Sequence, residues 1–209
     1  MQRIRVTLLR CNYIHKVLIK PMLTRRHIRV KVLQSVYAFN QTENAEIGKQ
    51  EKFLLYSLDQ MHDLYVLLLQ SMVALQHHAE SFLLKSQQKH LATALEKNPS
   101  RRFVDNKAIA LLSENTALQE ILDKKKLNYW KEDDEYIAIL FKALTEKEWY
   151  KTYLLEKESS LKEDSAFLVK VYKEIIAPND KLYDYIEDKR LTWVDDFPVV
   201  NTSVVKVLN

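Results

Sequence analysis

The groups that catalysis or metal binding would draw on are few and poorly grouped. The chain has six histidines and one cysteine among 209 residues. His77 and His78 are adjacent; on a helix they point about 100° apart and do not converge on a metal as an i, i+4 pair does. His62 and His90 have no ligand partner at helical spacing. Cys11 can form no intrachain disulfide, and no histidine is evidently paired with it to activate the thiol. Glu132-Asp-Asp-Glu135 is a run of carboxylates, but acids ahead of an apolar helical stripe are what a helix N-terminus takes against its dipole. A single glycine, Gly48, leaves no material for phosphate-cradling loops or strained nucleophile turns. These residues read as a non-enzymatic chain with no metal and no cofactor.

The basic residues are more informative. Of 32 lysines and arginines, nine lie within residues 1–31, and that stretch holds none of the 28 acids. A basic end on a mildly acidic body calls for a polyanion, either nucleic acid or an anionic membrane surface, or else serves targeting. Lys124-Lys-Lys126 is better read as a helix C-terminus meeting its dipole, and Arg101-Arg102 as a solvated loop pair. The stretch from Arg25 to Phe39 is different. At 100° per residue, Ile28, Val30, Val32, Leu33, Val36, Tyr37 and Phe39 form a wide apolar face, with His27, Lys31, Gln34 and Ser35 on the polar side. Arg29 falls within the apolar side, with Arg25 and Arg26 one turn earlier. Either the first turns project past the core and these arginines face a ligand, or Arg29 is paired inside. Guanidinium groups suit phosphates and base edges, and Tyr37 or Phe39 offers a ring on which an unpaired base can stack.

The elements that position these residues read as helices throughout. Few breakers and abundant Leu, Lys, Glu and Gln give an all-α composition. Residues 1–21 are set apart as an N-terminal extension ahead of a start at Met22; they make a poor secretory signal, and their basic, acid-free character also fits a presequence. The remaining 22–209 form one helical region. Within it, 22–40 is the basic helix, capped by Thr24, and Gly48 closes the loop that follows. Residues 49–97 form a long helix with a heptad seam of Leu54, Leu58, Met61, Tyr65, Leu68, Met72, Leu75, Ala79 and Phe82, apolar nearly all round from Leu64 to Leu69. Residues 106–209 hold shorter helices, with capping boxes expected at Thr145–Glu148 and Ser160–Glu163. Val204, Val205, Val207 and Leu208 predict an exposed apolar patch at the end. No stretch is long and apolar enough for a membrane span, and the lone cysteine fits a reducing, cytoplasmic setting.

The stretch Leu23 to Phe39 resembles the first helix of the NusB family of bacterial transcription antitermination factors. Arg25, Arg26, Arg29, Gln34, Tyr37 and Phe39 match the family pattern in register. The resemblance implies an all-helical bundle that binds boxA-type single-stranded RNA together with the ribosomal protein NusE in the elongation complex. It implies that Arg25, Arg26 and Arg29 take phosphates or base edges, with Gln34 and Tyr37 flanking them; Lys31 completes the candidate RNA-binding set. The chain departs from the family by its long inserted helix. It also lacks an Asn-Glu-Ala helix and a Phe-Val-Asn-Gly-type segment, so it reads as an enlarged variety that stops before the family's C-terminal half. The alternative is a helical scaffold that forms a homo-oligomer through the heptad helix, its basic start serving targeting or membrane attachment.

Overall fold

A computed structural model describes residues 24–42, 46–89, 93, 97–156 and 160–209. The expectations placed on residues 1–21, on Cys11 and on His90 lie outside them. The described chain is all-helical, with no strand among the described residues. Ten α-helices follow in order: α1 (Arg25–Gln41), α2 (Ile47–Gln87), α3 (Lys107–Ser113), α4 (Thr116–Lys125), α5 (Tyr129–Glu132), α6 (Asp134–Thr145), α7 (Glu148–Leu155), α8 (Leu161–Val171), α9 (Asp180–Lys189) and α10 (Phe197–Leu208). A π turn, Tyr172–Ile176, extends α8, and a 3-10 turn, Leu191–Asp196, leads into α10. The chain divides into two compact units, one of Met1–Tyr65 with Ile186–Val207, the other of Val66–Tyr185 with Leu208–Asn209.

The second unit carries most of the apolar core. Its part of α2 is buried nearly all round, with Leu67, Leu68, Leu69, Met72 and Leu75 at 2 % exposure or less, as the unbroken apolar run predicts. The indole of Trp130 donates to the Leu67 carbonyl at 2.8 Å, and the Gln76 amide donates to the Val104 carbonyl. Side-chain caps start the short helices: Asn106 accepts from the amides of Ala108 and Ile109, and Asn115 from that of Leu118. The Ser160–Glu163 capping box is formed in both directions. Of the acids at 132–135, Asp134 and Glu135 lie in the first turn of α6, where the dipole argument puts them, and Asp133 takes its cap position without a side-chain capping bond, whereas Glu132 ends α5. Lys124 and Lys125 end α4, and Lys126 turns the chain in the left-handed region at φ 54°.

Four local expectations need correction. The long helix ends at Gln87, where the last turn tightens through a Lys89 amide bond to the Ser86 carbonyl; beyond Leu84 the apolar stripe gives way to the polar run Lys85-Ser-Gln-Gln-Lys89. Gly48 is helical, in the first turn of α2, and closes no loop. Thr145 does not cap α7: it is still within α6, its hydroxyl donating back to the Lys142 carbonyl at 2.8 Å, and Lys147 takes the cap position without a side-chain bond. Arg102 is not solvated. Its side chain is 7 % exposed, and the guanidinium lies over the Tyr153 ring and meets the buried Asp164 at 2.8 Å. The first unit supplies a fifth correction at the chain's end, where Val204 is fully buried and Val205 and Val207 are half-buried; Leu208, in the second unit, is buried as well, so no apolar patch stands open there.

Candidate nucleic-acid interface

The candidate site lies in the first unit, on α1. Thr24 opens the helix, its hydroxyl oxygen accepting from the His27 amide at 3.2 Å. The 3.6-residue period then places His27, Lys31, Ser35 and Phe39 on one face. That face is turned inward: His27 and Lys31 are buried, Ser35 and Phe39 half-buried. The orientation expected from apolar periodicity is thereby reversed, and the reason is a single carboxylate. Asp196, fully buried, accepts from His27 Nε2 at 2.8 Å and from Lys31 Nζ at 2.9 Å, both on its Oδ1. Its neighbour Asp195 accepts from the Gln34 amide at 2.6 Å. The Leu191–Asp196 turn that carries both acids is anchored by Trp193, whose fully buried indole donates to the Gln60 carbonyl at 2.7 Å. A desolvated cation is costly without a partner and tolerable with one. The chain therefore buries the face that carries His27 and Lys31, because that face matches Asp196.

The consequence is that the apolar residues of α1 face outward. Leu33 and Tyr37 are 69 % and 65 % exposed, and Ile28, Val30, Val32 and Val36 are exposed as well. Arg25, Arg26 and Arg29 lie on this outward side. Among the described residues none of the three has a hydrogen-bond or ion-pair partner, and α1 has no acid in its first turn. Of the two alternatives for Arg29, pairing inside is not the one seen: among the described residues the side chain is exposed. Three guanidinium groups thus lie exposed on the first two turns of α1, near a helix N-terminus whose dipole also favours anions.

The six candidate residues are therefore divided. Arg25, Arg26, Arg29 and Tyr37 share the open face. Lys31 is removed from it: its ammonium is committed to Asp196 and closed off from a phosphate. Gln34 is exposed but already donates to Asp195, at the edge of a cleft of about 320 Å³ lined also by Ser35, Phe53 and Leu191. Sequence reasoning missed Asp195 and Asp196 altogether. The one signal that pointed to them is the His27–Lys31 pair, two cationic or protonatable groups one turn apart opposite an apolar face, which asks for an acid elsewhere in the chain.

The second unit holds the remaining groups of chemical interest. His77 and His78 line a cleft of about 580 Å³ with Gln70, Phe82, Lys85 and Trp130. Burial, opposed by Asp134 and aided by Lys85, holds the His78 imidazole below its ordinary value, and its ring packs against Phe141. Among the described residues no three His, Cys, Asp or Glu side chains are grouped so as to hold a metal ion, and no helix is long and apolar enough to cross a membrane. The chain matches no protein-family model, no curated protein and no solved structure with which it was compared.

Proposed function

We propose that this protein is an RNA-binding transcription antitermination factor of the NusB kind, acting in the cytoplasm on boxA-type single-stranded RNA together with NusE. One observation carries the reading: Arg25, Arg26 and Arg29 are exposed on the first two turns of α1, without an acid beside them, on a helix whose other side is fastened by Asp196. Phosphates neutralise such a cluster, and the guanidinium fork can also reach base edges. Tyr37 stands on the same side at roughly 18 Å along the axis from Arg25, where its ring offers a stacking platform to an unpaired base. The arginines and the tyrosine are also the residues that match the NusB first-helix pattern.

The test is binding of a labelled boxA RNA followed by fluorescence anisotropy across a salt series. The affinity is expected to fall steeply with salt, because each neutralised phosphate releases counterions. Arg25→Ala, Arg26→Ala and Arg29→Ala together are expected to abolish binding and leave helicity unchanged, since none of the three is part of the packing. A triple variant that binds as well as the parent would show that the RNA, if bound, lies elsewhere. The scaffold alternative finds less support: Met61, Tyr65, Leu68, Met72, Leu75 and Ala79 of the heptad seam are already buried within the chain, leaving little of it to a second copy.

A further inference from the structure

Arginines and RNA do not account for the whole open side of α1. Two rows run along it. Arg25, Arg29, Val32 and Val36 form one, and Arg26, Val30, Leu33 and Tyr37 the other; each steps by four, three and four residues. All eight side chains are exposed. Steps of four and three are the spacing by which one helix accepts the knobs of another. Ile47, Phe53, Leu55, Tyr56 and Leu191 are exposed in the same unit, so 11 of the 16 exposed large apolar residues of the described chain belong to it. Exposed apolar side chains concentrated in this way are a feature of interaction surfaces.

From this arrangement we infer that the outward rows of α1 dock an amphipathic helix of a protein partner, apolar along its length and acidic at the end that meets Arg25, Arg26 and Arg29. The charge of the surface selects the occupant. Both rows begin with arginine, and α1 contains no aspartate or glutamate. A partner helix with a basic or neutral end would leave guanidinium groups desolvated and unpaired beside it. A second copy of α1 has no carboxylate to offer either. RNA satisfies the arginines but leaves Val32, Leu33 and Val36 uncovered. Because the acidic end engages the arginines assigned above to RNA, docked helix and bound RNA exclude each other; that last step rests on the proposed function, while the docking itself does not.

The experiment uses the full chain and a synthetic fluorescent helix with leucine at a and d positions and glutamates in one terminal turn. A control helix has lysines in place of the glutamates. The glutamate helix is expected to bind, and to bind at least about tenfold more tightly than the lysine helix. Leu33→Asp with Val36→Asp should remove binding of both while circular dichroism stays unchanged. The triple arginine-to-alanine variant should erase the preference between the two helices. Failure of both helices to bind, equal binding of the two by the parent chain, or a concentration-dependent dimer dissolved by Leu33→Asp would each overturn the proposal. Labelled boxA RNA separates the two readings. Peptide binding without RNA binding refutes only the RNA assignment, and RNA binding without peptide binding refutes only the docking.

Discussion

At the scale of single residues, Asp196 decides more than any other side chain. One of its oxygens holds both His27 and Lys31, and its burial is complete. Removing one partner of a buried ion pair typically costs about 3–5 kcal/mol, because the other charge is left desolvated. Asp196→Ala is therefore expected to lower stability by that order in urea unfolding monitored by circular dichroism. Replacing the set together, with His27→Leu, Lys31→Met and Asp196→Leu, is expected to be far milder, since no uncompensated charge remains. If the triple change proves as damaging as the single one, the polar seam is not what fastens α1. Glu163 gives a second expectation. The Ser160 amide, and after it the Ser160 hydroxyl, hold this exposed carboxyl below its ordinary value of 4.5. A depressed carboxyl stabilises the folded state above the unfolded value and loses that contribution as pH falls through the folded one. In an NMR titration Glu163 should protonate at lower pH than a free glutamate, and Ser160→Ala should move it upward.

Individual elements differ in how readily their sequence gives them away. The Ser160–Glu163 capping box and the buried stretch of α2 were legible because their causes are local: a serine three residues before a glutamate, or six apolar residues in a row. The inward face of α1 was not. Periodicity assigns the apolar side to the core by default, and the carboxylate that overrides it lies 169 positions from His27. Thr145 misled for a different reason, since a threonine within α6 can bond its own preceding turn in place of capping the next helix. For Arg29 the sequence left open exposure or pairing inside; the side chain is exposed, and so are the apolar residues around it that were expected to be covered. At the end of α4 the sequence places Lys126 where glycine is usual; the Leu127 amide completes the motif on the Leu122 carbonyl at 3.0 Å. A left-handed non-glycine residue costs about 1–2 kcal/mol, partly offset by glycine's greater entropy loss. Lys126→Gly is thus expected to raise stability by about 0.5–1 kcal/mol, measured as a higher urea midpoint with an unchanged slope. A lower midpoint would mean the lysine side chain contributes more than the backbone loses.

Across the whole chain, the two units are built on different balances of forces. The unit with Val66–Tyr185 rests on dense apolar burial, whereas α1 in the other unit is held by a polar seam and turns its apolar side outward. Local opening is easiest where few apolar contacts oppose it. Hydrogen exchange is expected to reach the amides of residues 25–41 well before those of residues 64–79. Equal protection in the two segments would show that the seam alone holds α1 as firmly as a core. The open arginine face is then carried by a helix held through a polar seam on its other side.

The distance between His27 and Asp196 along the chain has a meaning in time. At a synthesis rate of roughly 5–20 residues per second, about 10–30 s pass between the appearance of α1 and the appearance of its carboxylate. A 17-residue helix rich in β-branched residues (Ile28, Val30, Val32, Val36) gains little stability alone in water, since most helical stability comes from packing. During that interval Lys31 and His27 have no acid to turn toward, and nothing yet fixes which side of α1 faces outward. The arginine face is therefore acquired only as Leu191–Asp196 leaves the ribosome, so α1 becomes competent long after it is made.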